Sequence, residues 1–308
     1  MEANKELKDI ISSYINYLDL KPITKDSYKR ILFYYNDYLL NRKSKEAPSR
    51  NDILKYKEHL KKTVKSASIQ KHIIVIRNFY RWYQINGYGL NIAEGVKGAK
   101  IEPTYKRESL TASEAKKLLS KAKHLSIKTM EGKRNYAIIA LLLTTGLRTI
   151  EIERADVVDL SMIDEVHVLY IQGKGRDDKD TYVKLSNEVY SIIEEYLIAR
   201  NDGYEPLFIN HARCSNSSRI KTRTIREVVK ELFRLIGLDS KAYSAHSLRH
   251  SCATLNLLNG GSLEETQQML RHKDISTTII YSHHLARINN NSELRVSDIL
   301  FTNPKKKN

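Results

Sequence analysis

Cysteine is nearly missing from this sequence: of 308 residues, only Cys214 and Cys252 are cysteines. Two such residues make neither a disulfide framework nor a metal-ligand cluster, so a reducing, intracellular setting is expected. Long apolar runs are missing too. The longest, Ala137 to Leu143, falls well short of the ~20 residues that span a bilayer and predicts a buried core helix. The opening stretch, MEANKELKDIISSY, has scattered charges and no apolar h-region, which argues against a signal peptide. Proline is sparse, and Pro22 and Pro48 fall where helical periodicity breaks. There is no internal repeat.

Positive charge, by contrast, is abundant. Lys and Arg number 52 against 36 Asp and Glu, a formal charge of +16. Such a surplus favours a polyanionic partner. It is denser early in the chain, where residues 1–100 hold 20 Lys/Arg against 10 Asp/Glu. Residues 101–308 hold 32 against 26. A ribosomal or membrane-surface protein would share this balance, so charge alone does not choose. The length suffices for two domains, each with its own core.

Residues 3–96 are predicted helical throughout. Ile10, Tyr14, Tyr17 and Leu18 recur at helical spacing, as do Tyr28, Ile31, Leu32 and Tyr35. A third helix is expected over Asn51–Lys62, capped by Ser49 or Asn51. A fourth spans Ser68–Gln84, carries Ile69, Ile73, Ile76, Phe79 and Tyr83, and ends at Asn86-Gly87 and Gly89. Together they make a helical bundle of residues 1–97. Residues 98–108, with Gly98, Pro103 and a run of charge, read as a linker that begins to lose apolar period at Val96.

A second domain, 109–308, opens at the capping box Thr111-Ala-Ser-Glu114. A buried helix is expected over Asn135–Thr145, stopped by Gly146. Val166–Ile171 alternates apolar and polar residues, Gly173-Lys174-Gly175 turns, and Thr181–Leu185 returns as a strand. Helices follow at Glu188–Ala199, Thr224–Leu235 and His246–Leu258. The last has Leu248, Cys252, Leu255 and Leu258 or Asn259 on one face and stops at Gly260-Gly261. A second capping box, Ser262 to Glu265, opens a short helix to Leu270. Residues 293–301 make one more short helix, and 304–308 a disordered tail. The fold class is therefore mainly α with a small antiparallel β-sheet, in two domains.

Five segments of the second domain carry chemistry in a fixed order. Thr145-Gly146-Leu147-Arg148 sets an Arg just after a buried helix. Gly173-Lys174-Gly175 sets a Lys at a turn tip. His246 and Arg249 lie three apart, on one helix face. Leu270-Arg271-His272 ends the next helix, and Tyr281 follows nine residues beyond that His. These are the groups needed to move a phosphodiester onto a protein hydroxyl and back. A hydroxyl nucleophile keeps the bond energy in a covalent link. Fixed guanidinium groups and a His donor hold the charge that builds on the phosphate oxygens. A Lys supplies the proton for the leaving oxygen. Each alone is weak: Tyr281 is one of 19 tyrosines, and a Gly-Lys-Gly is usually only a turn. In this order they are specific.

The stretches TTGLRTIEI, GKGRDDKDTYVKL, AHSLRHSCATLNLLNGG and LRHKDISTTIIYSH resemble the tyrosine recombinase (integrase) family, most closely its compact Xer-type members. SIQKHIIVIRNFYRWYQINGYGLNIAEG, residues 68–95, resembles the end of that family's core-binding domain, a SAM-like helical module. The resemblance covers nearly the whole chain, and no arm-binding domain is expected before residue 3. It implies a two-domain DNA clamp and a site of Arg148, Lys174, His246, Arg249, His272 and the nucleophile Tyr281, with Glu151 in support. It implies site-specific recombination through a 3′-phosphotyrosyl link, without metal or other cofactor. Double-stranded DNA would be the partner, with a homotetramer in the synaptic complex, its C-terminal segment docked through Leu294, Ile299 and Leu300. Accessory proteins would be possible additions, and the place of action the cytoplasm, at the nucleoid. One departure stands out. Arg271 occupies a position where the family has glycine, to contact phosphate or to face solvent. The hairpin carrying Lys174 is also unusually rich in Asp, at Asp177, Asp178 and Asp180.

Candidate DNA contacts are Lys65, Gln70, Lys71 and Arg77 on or near the fourth helix. Arg219, Lys221 and Arg223 are others, before a helix whose first amides also favour phosphate. Two other functions are compatible with parts of the pattern. A type IB topoisomerase shares the nucleophile chemistry without pairing two sites. A non-catalytic DNA-binding regulator would explain the charge, but not six filled catalytic positions.

Overall fold

The computed structural model describes residues 2–42, 46–100, 108–173, 178–211, 218–272, 278–279 and 290–301. The chain divides into two compact units, Met1–Thr104 and Tyr105–Asn308.

The first unit is built on helices α1 (Glu2–Tyr17), α2 (Pro22–Leu40), α3 (Arg50–Lys61) and α4 (Ser66–Ile85). Pro22 stands in the first turn of α2, where a missing N–H costs nothing. Ser49 and Asp52 form the capping box that starts α3. Tyrosines fill much of the core: Tyr14, Tyr35 and Tyr56 are buried with Leu32, Ile53, Ile73, Ile76 and Phe79. Two of the tyrosine hydroxyls have partners there. Tyr56 bonds His72 Nδ1 at 2.7 Å, and Tyr35 bonds Tyr80 at 3.4 Å. Two expectations change. The buried face of α1 is Ile11, Tyr14 and Ile15, whereas Tyr17 lies exposed. Ala93 and Val96 are buried in this core, so the stretch at Val96 is packed chain, not linker.

The second unit contains, in order, α5 (Ala112–Ser126), α6 (Met130–Thr145), α7 (Thr149–Arg154), a 3-10 turn (Val157–Asp159), β1 (Leu160–Ile163), β2 (Val166–Ile171) and β3 (Thr181–Lys184). There follow α8 (Asn187–Arg200), α9 (Thr222–Leu235), α10 (Ala245–Leu258), α11 (Leu263–Leu270) and α12 (Ser292–Phe301). Helix α6 is the axis of the domain: Ala137 through Leu143 are all buried. It begins five residues before the expected Asn135, because Thr129 caps it by accepting from the Gly132 amide. The polar opening Met130–Arg134 hid that turn. Arg134 is nonetheless buried, held by the Ile209 carbonyl and the Asn135 side chain.

The sheet is antiparallel, in the order β1-β2-β3, with Leu169 paired to Leu160 on one side and Val183 on the other. Strand β1 and helix α7 were not foreseen. The β1–β2 hairpin turns on Asp164 and Glu165, both at positive φ, as a two-residue turn of this kind requires. Neither is the Asn-Gly or Asp-Gly pair that would announce such a turn. In α10, Leu248 and Cys252 are buried as expected, but Leu258 is exposed.

Candidate active site

Three chain segments converge at one end of α6. The first is the end of α6 itself. Gly146 terminates the helix at φ +61°, and a Cβ placed there would stand 2.6 Å from Leu270 Cδ2. Glycine is needed both for the left-handed turn and for the close approach of α11. Two residues on, Arg148 caps α7. Its backbone N–H donates to Glu151 Oε2 at 2.8 Å and its guanidinium to Oε1 at 2.9 Å. Glu151 is fully buried, while Arg148 keeps 29% of its side chain exposed. The glutamate thus holds the arginine while leaving its outer face in the open.

The second segment is α10. His246 lies on its exposed side and Arg249 in the interior, only 1% exposed. The Arg249 guanidinium donates to the carbonyls of Gly146 and Leu270. This one side chain therefore ties the turn that leads to Arg148 to the helix end that leads to His272. The His246 ring packs edge-on against His250, centroids 4.4 Å apart.

The third segment is the end of α11. Arg271 is its last cap, left-handed at φ 54°, and the His272 amide closes the turn on the Gln267 carbonyl. Glycine or asparagine is the residue such a position favours, which accounts physically for the glycine expected here. Arg271 neither faces solvent nor stands open for phosphate, so both expectations for it are corrected. Only 16% of its side chain is exposed, and its guanidinium donates to Glu151 Oε2 at 3.0 Å and to the Met269 carbonyl at 2.7 Å. Burial alone would raise the Glu151 pKa. Arg271, with the Arg148 amide and guanidinium, outweighs it and holds the carboxyl below its ordinary value.

His272 Nδ1 bonds the hydroxyl of buried Thr278 at 2.9 Å. Burial, and then the charges of Arg249, Arg148, His246 and Arg271, push the imidazole pKa down to about 4. It is a neutral imidazole at ordinary pH. Arg148, Glu151, Arg249 and His272 are thus gathered in one place. Lys174 and Tyr281 lie outside the described residues, as do Cys214 and Asp177.

Arg271 as a partner of Glu151, and Thr278 as a partner of His272, were missed. The only sequence signal for Thr278 was its place in the Thr-rich run between His272 and Tyr281. Within the Asp-rich hairpin, Lys179 is bonded to Asp156 at 2.7 Å and to Asp159 at 2.5 Å.

The candidate DNA contacts divide into two groups. In the first unit Lys65, Lys71 and Arg77 are exposed, with Lys71 bonded to the Ser27 hydroxyl, and Gln70 is half-buried. In the second unit Arg219 is spent on internal oxygens: Asp156 at 2.5 Å and the Glu153 and Ala155 carbonyls. The helix expected from Thr224 begins at Thr222, whose amide already donates to Glu153 at 2.6 Å. Lys221 and Arg223 remain largely exposed, near Glu153 and on Glu227 respectively.

Residues 108–287 match the phage integrase family, and residues 11–84 match the phage integrase N-terminal SAM-like domain. The chain is 32% identical over 277 residues to tyrosine recombinase XerD of Oceanobacillus iheyensis, covering 84% of this chain and 87% of that one. It is 29% identical over 284 residues to tyrosine recombinase XerA of Pyrococcus horikoshii, covering 92% of each. Among solved structures it superposes on XerH site-specific recombinase bound to palindromic difH substrate with a TM-score of 0.74 at 18% identity, over 96% of this chain and 84% of that one. A lambda integrase dimer bound to a COC′ core site gives 0.67 at 17%, over 88% and 96%. Fold and relatives together define an enzyme that breaks and rejoins DNA in site-specific recombination. The chain belongs to the phage integrase family, on its Xer-like tyrosine recombinase side.

Proposed function

We propose that Tyr281 attacks a scissile phosphate of double-stranded DNA and forms a 3′-phosphotyrosyl bond, releasing a 5′ hydroxyl. Arg148, Arg249 and His272 hold the phosphate, Lys174 gives the leaving 5′ oxygen its proton, and His246 assists in proton transfer or phosphate positioning. The 5′ hydroxyl of a partner strand then attacks the phosphotyrosine and reverses the step. No energy source is consumed, because one phosphoester replaces another. The observation that carries this reading is the Arg249 clamp, which fixes the Arg148 and His272 segments against each other. In the tautomer in which the Thr278 hydroxyl donates to His272 Nδ1, the proton sits on Nε2, where it can serve an oxyanion.

The first domain (1–97), joined through the linker (98–108) to the catalytic domain (109–308), would close on DNA as a clamp. Lys65, Gln70, Lys71, Arg77, Lys221 and Arg223 are candidates for backbone contact. Arg219 and Glu151 serve as internal support. Four protomers would act on two sites in the cytoplasm, with accessory proteins as possible additions. The apolar face of α12 favours this reading over a topoisomerase working alone.

The test is covalent capture. Wild-type protein and Tyr281→Phe are incubated, with chelator, with a pool of nicked duplexes of randomised sequence, and adduct is scored on a denaturing gel. We expect adduct from the wild type only. Adduct persisting in Tyr281→Phe would remove Tyr281 as the nucleophile.

A further inference from the structure

The side chain that stands where the family usually has glycine is placed on Glu151, the carboxylate that holds Arg148. Glu151 has no solvent to neutralise it. Its two oxygens are shared among three donors: the Arg148 amide, the Arg148 guanidinium and the Arg271 guanidinium. If Arg148 were its only cationic partner, that ion pair would cancel most of the charge that Arg148 could offer to a phosphate. A second guanidinium on the same carboxylate changes the balance. With Arg249, the cluster then carries two net positive charges instead of one.

Backbone requirements do not explain an arginine here. The left-handed turn at φ 54° favours glycine, and any side chain with a Cβ is strained in it. Stability does not explain it either. The guanidinium is mostly buried, and its Nε has no hydrogen-bond partner among the described residues. Burying a charge incompletely partnered is costly. Arg271 therefore carries two local penalties, and among the described residues its ion pair is with the glutamate behind Arg148.

We infer that Arg271 is a positioning residue for strand cleavage: it neutralises Glu151, so that Arg148 presents its full charge to the scissile phosphate. This rests on the site proposed above. Arg271 itself does not touch the phosphate. Its effect is electrostatic, acting on the charge that grows on the non-bridging oxygens in the transition state, and is strengthened by the low-dielectric surroundings of Glu151.

The probe is the nicked duplex captured covalently by the wild type from the randomised pool. It is prepared with an ordinary scissile phosphodiester or with a methylphosphonate, which is neutral at that position. Single-turnover adduct formation is measured for wild type, Arg271→Gly and Arg271→Lys, alongside duplex binding and thermal unfolding. On the phosphodiester, Arg271→Gly should slow cleavage roughly tenfold, less than the ~10²–10³ lost with a donor that touches the oxyanion. Its binding should stay within about twofold, and Arg271→Lys should recover most of the rate. On the methylphosphonate the deficit should largely vanish, because the charge it acts on is gone. Equal slowing on both substrates, no slowing at all, or a lysine variant as slow as the glycine one would overturn the inference. Arg148→Ala and Tyr281→Phe are run beside them. Wild-type rates from those two would overturn the site itself, an outcome distinct from the failure of Arg271 alone.

Discussion

At the scale of single residues, Gly146 and His272 show how much the site depends on backbone shape and burial. Gly146 meets two demands at once, a positive φ and van der Waals contact with a fully buried Leu270. Gly146→Ala should therefore cost about 1–2 kcal/mol for the left-handed turn and about 1–3 kcal/mol for overpacking. Denaturant unfolding will measure it, and a loss under about 1 kcal/mol would mean that the helix end relaxes freely. His272 makes a pH prediction. Its pKa in the folded protein, about 4, lies below the ordinary histidine value of 6.5. The unfolded chain therefore binds a proton that the folded one refuses, and stability falls as pH drops through 6.5 toward 4. Above that window His272 contributes no such penalty. Unfolding free energies measured at about pH 7 and about pH 5 should show a steeper fall for wild type than for His272→Gln. Equal slopes would place His272 in a less buried setting. His72 and His211, also lowered by burial, are common to both proteins and cancel in that comparison.

Much of this residue-scale chemistry could be read from sequence because it is local. Thr145-Gly146-Leu147-Arg148 and the His246/Arg249 pair announce themselves by spacing within one turn. The role of Arg271 was not legible. Its partner Glu151 lies 120 residues away in sequence, and nothing in LRHKD says which way an arginine turns. Arg219 was misleading for the same reason. A basic residue before a helix reads as a phosphate contact until Asp156 and two carbonyls are found around it.

At the scale of elements, helices with caps and apolar period were legible, and short pieces were not. The capping boxes at Thr111–Glu114 and Ser262–Glu265 start α5 and α11 as expected. Helix α7 has only six residues, too few to show a period. It exists because Glu151 reaches back to the Arg148 amide and because its Ile152 is buried. Strand β1 likewise has four residues, two of them exposed, and is fixed by pairing with β2 and not by composition. The segment from α7 into β1 also supplies the acidic groups that engage Lys179 and Arg219. Burial works against the Asp156 carboxylate, and Lys179 and Arg219 outweigh it, holding its pKa below the ordinary value. The Asp-rich hairpin is therefore tied through its own Lys179 to carboxylates from outside it.

At the scale of the whole molecule, the telling element is a helix whose side chains are all exposed. Helix α12 has no buried residue, and Leu294, Val296, Ile299, Leu300 and Phe301 are all exposed, Ile299 and Phe301 by more than 80%. Among the described residues, no helix is long and apolar enough to cross a membrane. Apolar side chains clustered on a ten-residue helix need a cover, since each one moved out of water gains ~1.5–3 kcal/mol. A second protomer supplies that cover if recombination proceeds through a synaptic tetramer. Cleavage of one nicked duplex needs no such assembly, whereas exchange between two duplexes does. The variant Ile299→Asp/Phe301→Asp should therefore still form the phosphotyrosyl adduct while losing exchange of strands between two duplexes. In such a tetramer several α12 contacts would act at once, so the loss should be at least tenfold. Sedimentation of protein–DNA complexes will show whether the higher assembly disappears with it. If exchange and assembly both survive the two charges, α12 is not the contact between protomers.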